Sequence, residues 1–295
     1  MKKILLIGST GQVGQELLTT LKPLGELTIL TRQQLDLTKP NDIKEAIASV
    51  APNIIVNAAA YTAVDKAETE SELAMAINAF APEIMGEIAQ KISATLVHIS
   101  TDYVFDGKHY TNYKEDDLTN PLGIYGKSKL MGEIGIRKNC DNHIILRTAW
   151  VYGCKGHGNF VKTMLRLGQE KEELRVVEDQ IGTPTWSYDI ANAIANLLEK
   201  QTEIPTGTYH YTNSGVASWY DFALAIFDEA RQLNFPLKIT KVLPITTAEY
   251  PTPAQRPAYS VLSKVKFTQT LGIYPPYWRD SLKAMLKQLS VNSKQ

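Results

Sequence analysis

The 295-residue sequence predicts an α/β protein: a doubly wound parallel sheet with a smaller lobe toward the C-terminus. Three observations lead there. Short apolar runs at 3–8, 27–30, 54–57, 96–100 and 144–147 alternate with longer helical patterns at 12–21, 41–50, 70–91 and 121–137. The runs are rich in Ile, Leu and Val without polar alternation, as strands are when helices cover both faces of their sheet. A turn with three spaced glycines joins the first run to the first helical pattern, and strand–helix repetition of this kind builds parallel sheets.

Bulk properties narrow the function. Apolar residues make up 44% and charged residues 21% of the chain, close to a soluble globular average that can fill a sizeable core. Lys plus Arg number 31 and Asp plus Glu 31, so no global field draws DNA, RNA or anionic membrane, and a small-molecule partner is expected. Cys140 and Cys154 have neither zinc-knuckle nor redox-pair spacing, and the five histidines show no ligand pattern. Met1, Lys2 and Lys3 followed by an apolar run imitate a signal peptide only faintly, since Gly8 to Gln12 end the run early. No apolar stretch approaches membrane-spanning length, and the chain reads as cytoplasmic with reduced thiols.

After Trp150 the character changes. Short strand-like pieces at 174–177 and 208–211 mix with helical patterns at 160–168, 189–200, 219–231 and 278–289, and prolines gather at Pro244, Pro251, Pro253 and Pro257. We read residues 1–150 as a dinucleotide-binding, Rossmann-like domain and 151–295 mainly as a substrate lobe, with part of 174–200 returning to the first domain.

Gly8-Ser9-Thr10-Gly11-Gln12-Val13-Gly14 follows the first strand directly and opens the first helix. The first glycine permits the tight turn, the second lets backbone approach a pyrophosphate, and the third lets helix pack on strand, with the helix N-terminus favouring phosphate charge. Arg32, after the second strand, suits a ribose 2′-phosphate where a carboxylate would suit a free hydroxyl. NADPH is therefore the preferred cofactor, with NADH the alternative. The third strand ends in small residues, Asn57-Ala58-Ala59-Ala60-Tyr61-Thr62, where a cofactor must approach backbone.

Tyr125 and Lys129 lie four residues apart, one turn along a single helical face. A phenol near pKa 10 is a sluggish proton donor, and a nearby cation favours its ionised form by about 1.4 kcal/mol per unit of pKa. Tyr110 and Lys114 have the same spacing but stand among Asn112, Glu115, Asp116 and Asp117, a surface-loop composition. Tyr125 instead stands early in a helix expected to begin at Pro121, a good first-turn residue. The fourth strand ends in Ser100-Thr101-Asp102, so either hydroxyl is placed to meet a substrate carbonyl.

The glycine spacing, the hydroxyl after the fourth strand and the tyrosine–lysine pair resemble the extended short-chain dehydrogenases. More narrowly, the chain resembles the dTDP-4-dehydrorhamnose reductase family over nearly its whole length. The resemblance is carried by residues 57–68, 100–105, 125–129, 147–152 (Arg-Thr-Ala-Trp-Val-Tyr), 159–164, 179–185 and 250–257. It implies reduction of a dTDP-linked 4-keto-6-deoxysugar, with Thr101, Tyr125 and Lys129 catalytic and Lys129 also holding the cofactor ribose. It further implies that Asp36 and Leu37 flank the adenine, that Thr101, Asp102 and Trp150 meet the sugar, and that Asn159, Phe160 and Arg256 contribute to the substrate site. An alternative for Arg256 is an ordinary surface arginine, and for Trp150 a core aromatic. Some relatives dimerise around magnesium held by three glutamates. Glu16 fits the first such position, whereas Tyr188 and Gln288 stand at the others and are poor ligands for a hard cation. A monomer, or a homodimer without a metal bridge, is expected.

Other chemistries share these motifs. A nucleotide-sugar dehydratase places an Asp-Glu pair after its threonine, where this chain has Asp102-Tyr103. An epimerase, with tightly held nicotinamide, and a non-catalytic regulatory subunit of the same fold stay open on motifs alone.

Overall fold

The computed structural model describes residues 1–156, 158–200 and 205–292. Six strands form one sheet: β1 (Lys3–Ile7), β2 (Glu26–Leu30), β3 (Ile54–Asn57), β4 (Thr95–Thr101), β5 (His143–Thr148) and β6 (Gly207–His210). Neighbours are parallel throughout, in the order β6-β5-β4-β3-β1-β2. The longer helices are α1 (Gln12–Thr20), α2 (Pro40–Val50), α3 (Ala81–Lys91), α4 (Ile124–Asn139), α5 (Phe160–Glu170), α6 (Ser187–Glu199), α7 (Trp219–Gln232), α8 (Val265–Leu271) and α9 (Trp278–Asn292). Among the described residues no helix is long and apolar enough to cross a membrane.

Successive strand residues face opposite sides, and both sets are apolar. Ile4, Leu6, Val56, Val97 and Leu146 meet Leu17 of α1, Ile190 and Ile194 of α6, and Phe267 of α8. Leu5, Ile7, Ile55, Leu96 and Ile145 meet Ile43 and Ile47 of α2, Met85 of α3 and Ile136 of α4. Each such side chain contributes roughly 1.5–3 kcal/mol when fully buried, which explains strands without polar alternation. β2 and β3 flank β1 on opposite sides. The winding therefore reverses there and leaves a crevice beyond the carboxyl ends of β1 and β3.

Three sequence expectations need correction. Residues 208–211, grouped with the smaller lobe, belong to the sheet: β6 pairs in parallel with β5 and closes an edge that would otherwise expose unpaired backbone. With α6 and α8 also packed on the sheet, the second half of the chain returns to it repeatedly. What remains builds its own core around Tyr152, Val161, Val176, Phe222, Phe227 and Leu286.

The helix expected over 70–91 is interrupted. A helical turn at Ser71–Met75 passes into a π-helical segment, Ala76–Phe80, before α3. The wider turn puts buried Asn78 where it bonds the backbone N–H and carbonyl of Tyr61 at 2.8 and 3.0 Å, and Ser128 Oγ of α4 at 3.0 Å. Nor does α4 begin at Pro121: it begins at Ile124, whose N–H donates to Glu68 Oε1 at 2.9 Å. A carboxylate from a distant turn supplies the N-terminal acceptor that the local sequence lacks.

Candidate active site

One cavity of about 810 Å³ lies along the carboxyl ends of β1, β3 and β4 and reaches the smaller lobe. Its floor is the glycine turn. Gly8 has φ +87°, and a Cβ there would stand 2.4 Å from Ala59 N, while one on Gly14 would stand 2.0 Å from Gly8 O. A Cβ on Gly11 would meet only Gly8 O, at an ordinary 3.6 Å. Gly11 is also the N-cap of α1 and offers no side-chain cap, so the first N–H groups of the helix face the cavity. Two glycines thus shape the turn, and the third leaves room for an anionic group at a helix N-terminus. These residues fit a dinucleotide pyrophosphate.

Thr10, Gln12, Val13, Asp36, Leu37, Ala58, Ala60 and Thr62 line the same cavity. Arg32 is exposed on its wall. Asp36 accepts from Thr38 Oγ1 at 2.7 Å and Thr38 N at 3.0 Å, which holds its carboxyl below the usual carboxylate range.

The reactive groups come together at the end of β4. Thr101 Oγ1 donates to Asp102 Oδ1 at 3.0 Å and accepts from Tyr103 N at 3.2 Å. Tyr125, the second residue of α4, is fixed by an edge-on contact with Tyr103, ring centroids 5.4 Å apart. Burial pushes the Tyr125 phenol up to about 12, Thr101 pulling it down by a hydrogen bond and Asp102 pushing it further up by charge. Lys129 Nζ bonds the Ile99 carbonyl at 2.7 Å and His98 Nε2 at 3.1 Å. Burial brings Lys129 down to about 8, against the opposing charge of Glu133. Burial likewise raises Asp102 to about 6, with Ser260 and Thr101 bonded to it, and its Oδ2 has no partner among the described residues. Thr148 Oγ1, also on the cavity wall, is equally unpartnered. The result is a protonated phenol beside a hydroxyl, with a lysine one turn behind and two buried, unpartnered polar atoms in residues of the cavity wall.

The far wall is aromatic. Trp150 sits at φ +47° and stacks on Trp219, with centroids 3.6 Å apart and planes 6° from parallel. Phe160 packs against the same Trp219, its ring tilted by 52° with centroids 4.6 Å apart. A Cβ on Gly182 would lie 2.5 Å from the Trp150 indole. Asn159 lines the cavity with its amide already engaged: Nδ2 donates to Gln12 Oε1 at 2.7 Å and Gly153 O at 2.9 Å, and Oδ1 caps α5 through Lys162 N at 3.1 Å. It ties the lobe to the glycine turn.

Three expected site residues are not on the cavity wall. The guanidinium of Arg256 is already engaged: it bonds both oxygens of Asp65, at 2.9 and 3.1 Å, and the Ala254 carbonyl at 3.0 Å. A carboxylate of the protein thus occupies the guanidinium fork of a residue that the resemblance implies in the substrate site. Tyr61 turns its hydroxyl to Glu70 Oε2 at 2.8 Å, and only its neighbours Ala60 and Thr62 line the space. Gly14 acts from behind the turn. Conversely, Trp219 and Asn78 went unnoticed in the sequence. Nothing local distinguishes Trp219 from any helix-opening aromatic, and Asn78 acquires its position from a π turn. His98 did carry a signal, an imidazole in an otherwise apolar strand.

Comparison with known proteins places this geometry. A family model described as the RmlD substrate binding domain matches residues 1–291. The dTDP-4-dehydrorhamnose reductase of Escherichia coli (strain K12) is 44% identical over 292 residues, covering 97% of each chain. The crystal structure of a dTDP-4-dehydrorhamnose reductase from Clostridium acetobutylicum matches with a TM-score of 0.91 at 40% identity, covering 97% of this chain and 99% of that one. The dTDP-4-dehydrorhamnose reductase of Bacillus anthracis, solved in complex with NADP, matches with a TM-score of 0.90 at 37% identity and the same coverage.

Proposed function

The chain belongs to the RmlD substrate binding domain family, and on that premise we propose that it reduces the 4-keto group of dTDP-4-dehydro-β-L-rhamnose to give dTDP-β-L-rhamnose, with NADPH as reductant. The observation that carries the reading is the convergence of Thr101, Tyr125 and Lys129 on one cavity with the glycine turn and the Trp150 wall. The cofactor is NADPH. Arg32 on the cavity wall and the NADP-bound relative support that choice, the open N-terminus of α1 takes the pyrophosphate, and Asp36 and Leu37 lie where the adenine would sit. When bound, the reduced nicotinamide supplies the two electrons.

The protein supplies the rest. Tyr125, its phenol near 12, stays protonated at neutral pH and is available to give that proton to the carbonyl oxygen as it becomes an alcohol. Thr101 donates to the same oxygen, releasing its bond to Asp102, and so stabilises the charge that develops there. Lys129, when charged, favours departure of the phenolic proton and holds the cofactor ribose. Asp102 lines the cavity with one buried, unpartnered oxygen and holds Thr101 through the other, and Trp150 with Phe160 forms an apolar wall that excludes water.

The acting species is a monomer or a homodimer without a metal bridge, and it works in the cytoplasm. Glu16, the one residue suited to such a bridge, is buried in an ion pair with Lys155 at 3.0 Å.

The test follows absorbance of the reduced nicotinamide while purified protein meets freshly made dTDP-4-keto-L-rhamnose, with NADPH and NADH in parallel and Tyr125→Phe as control. Oxidation that falls by about a hundredfold or more in the mutant is the expected result. No oxidation despite cofactor binding overturns the assignment and favours an epimerase or a regulatory subunit.

A further inference from the structure

Asn57, His98 and Lys129 form a line of buried polar side chains running from β3 through β4 to α4, with 1%, 0% and 1% exposure. No solvent mediates among them, so their hydrogen bonds fix where the protons are. The backbone N–H of Ala59 donates to Asn57 Oδ1 at 3.1 Å. That bond orients the amide and turns its nitrogen toward His98 Nδ1, 3.1 Å away. An amide nitrogen only donates, so Nδ1 must accept. Burial holds the imidazole far from protonation, so the ring is neutral and its one proton sits on Nε2. Nε2–H then faces Lys129 Nζ at 3.1 Å. An ammonium has no lone pair to receive it, whereas a neutral amine accepts it and still donates to the Ile99 carbonyl at 2.7 Å.

We propose that Asn57 and His98 are positioning residues that favour the neutral amine of Lys129 and so lower the pH below which it takes on charge. The proposal rests on Lys129 serving the reduction described above, but its first test does not use that activity. Charging the lysine requires His98 to move its proton to Nδ1 and Asn57 to turn over. The Ala59 N–H would then face an amide nitrogen, so ionisation of Lys129 is linked to a bond in the loop that ends β3 and lines the cavity.

The other ionisable groups around Lys129 do not undo the effect. Glu133, four residues along α4, favours the charged lysine. Its carboxylate is shared with Arg147 at 2.7 and 2.9 Å, Arg137 at 3.0 Å and Ser100 at 2.6 Å. Tyr125 is a neutral phenol one turn earlier, and Asp102 acts on that phenol from the end of β4. The net outcome is a lysine near 8, so the ammonium predominates at pH 7 and the amine reaches an equal share only about one unit above it.

The experiment labels lysine Cε and Nζ in the full chain, assigns Lys129 by its loss in Lys129→Met, and titrates its resonance by NMR. The expected midpoint is about 8, against roughly 10.4 for an ordinary lysine. His98→Gln introduces no charge and offers an oxygen to the ammonium, so the midpoint should rise by roughly one unit or more. Asn57→Asp accepts from both Ala59 N–H and His98 Nδ1–H, which frees Nε2 to accept, and should also raise it. A wild-type midpoint in the ordinary lysine range overturns the proposal. Since burial alone accounts for a midpoint near 8, the ring nitrogen shifts of His98 in wild type decide if neither variant folds, and a proton found on Nδ1 rather than Nε2 overturns it. An unchanged midpoint in the variants, with amide spectra showing them folded, overturns it as well. If the midpoint moves as stated but the protein oxidises no NADPH with the keto sugar, the lock stands and the substrate assignment falls.

Discussion

Trp150 and Trp219 lie face to face at 3.6 Å across the cavity wall, although one follows β5 and the other opens α7. The stack holds Trp150 at φ +47°, a conformation a tryptophan rarely adopts unaided.

Trp219→Ala removes that support. An aromatic pair contributes about 0.5–1.5 kcal/mol beyond its area, so KM for the nucleotide sugar should rise about three- to tenfold. Trp219→Phe should restore most of the loss, and NADPH affinity should hold. Steady-state kinetics with each substrate varied in turn checks this; a fall in kcat with KM unchanged would put Trp219 in the chemistry.

Asp102 makes stability depend on pH in a known direction. Its folded pKa of about 6 stands above the ordinary 3.8, so the folded protein penalises the ionised form. Wild type keeps its full stability below about pH 4 and loses it as pH rises to about 6, by about 2–3 kcal/mol at 1.36 kcal/mol per unit. Urea unfolding of wild type and Asp102→Asn across that range should show the mutant gaining relative stability as pH rises, with a constant gap above it. A difference that does not vary with pH contradicts the assignment.

Arg256 and Asp65 are expected to behave as one unit. If the arginine clamps the loop rather than binding diphosphate, Arg256→Gln and Asp65→Asn should raise the sugar-nucleotide KM by similar factors. The double mutant should then be little worse than either. With side chains 21% and 41% exposed, the pair's contribution to stability is held by solvent screening to about 1 kcal/mol or less. An effect on KM confined to the Arg256 variant would return that residue to the substrate.

Arg32 should carry the discrimination between cofactors. A charge-assisted bond to a 2′-phosphate contributes about 1.5–3 kcal/mol, so Arg32→Ser should lower kcat/KM for NADPH about ten- to a hundredfold and leave NADH nearly unchanged. Equal losses for both would mean that Arg32 acts on the turn itself.

Much was legible from the chain alone because its signals are local. Apolar runs without alternation mark strands covered on both sides, and three glycines at fixed spacing mark a turn against which Gly14 must pack closely. A tyrosine and a lysine four apart share a helical face wherever that helix lies. These patterns depend on φ, ψ and periodicity, which neighbouring residues set.

Tertiary structure decided whatever depends on distant partners. The resemblance puts Arg256 in the substrate site, and only the fold shows Asp65, far away in sequence, on its guanidinium. The sequence suggests that Lys129 lowers the phenol's pKa, yet the folded environment brings the lysine down and the phenol up, because burial dominates both groups. Residues 208–211 look like a lobe strand until the open edge of β5 recruits this segment. A partner's identity is not written in local periodicity, and the electrostatics of a buried group are the sum of partners that only folding assembles.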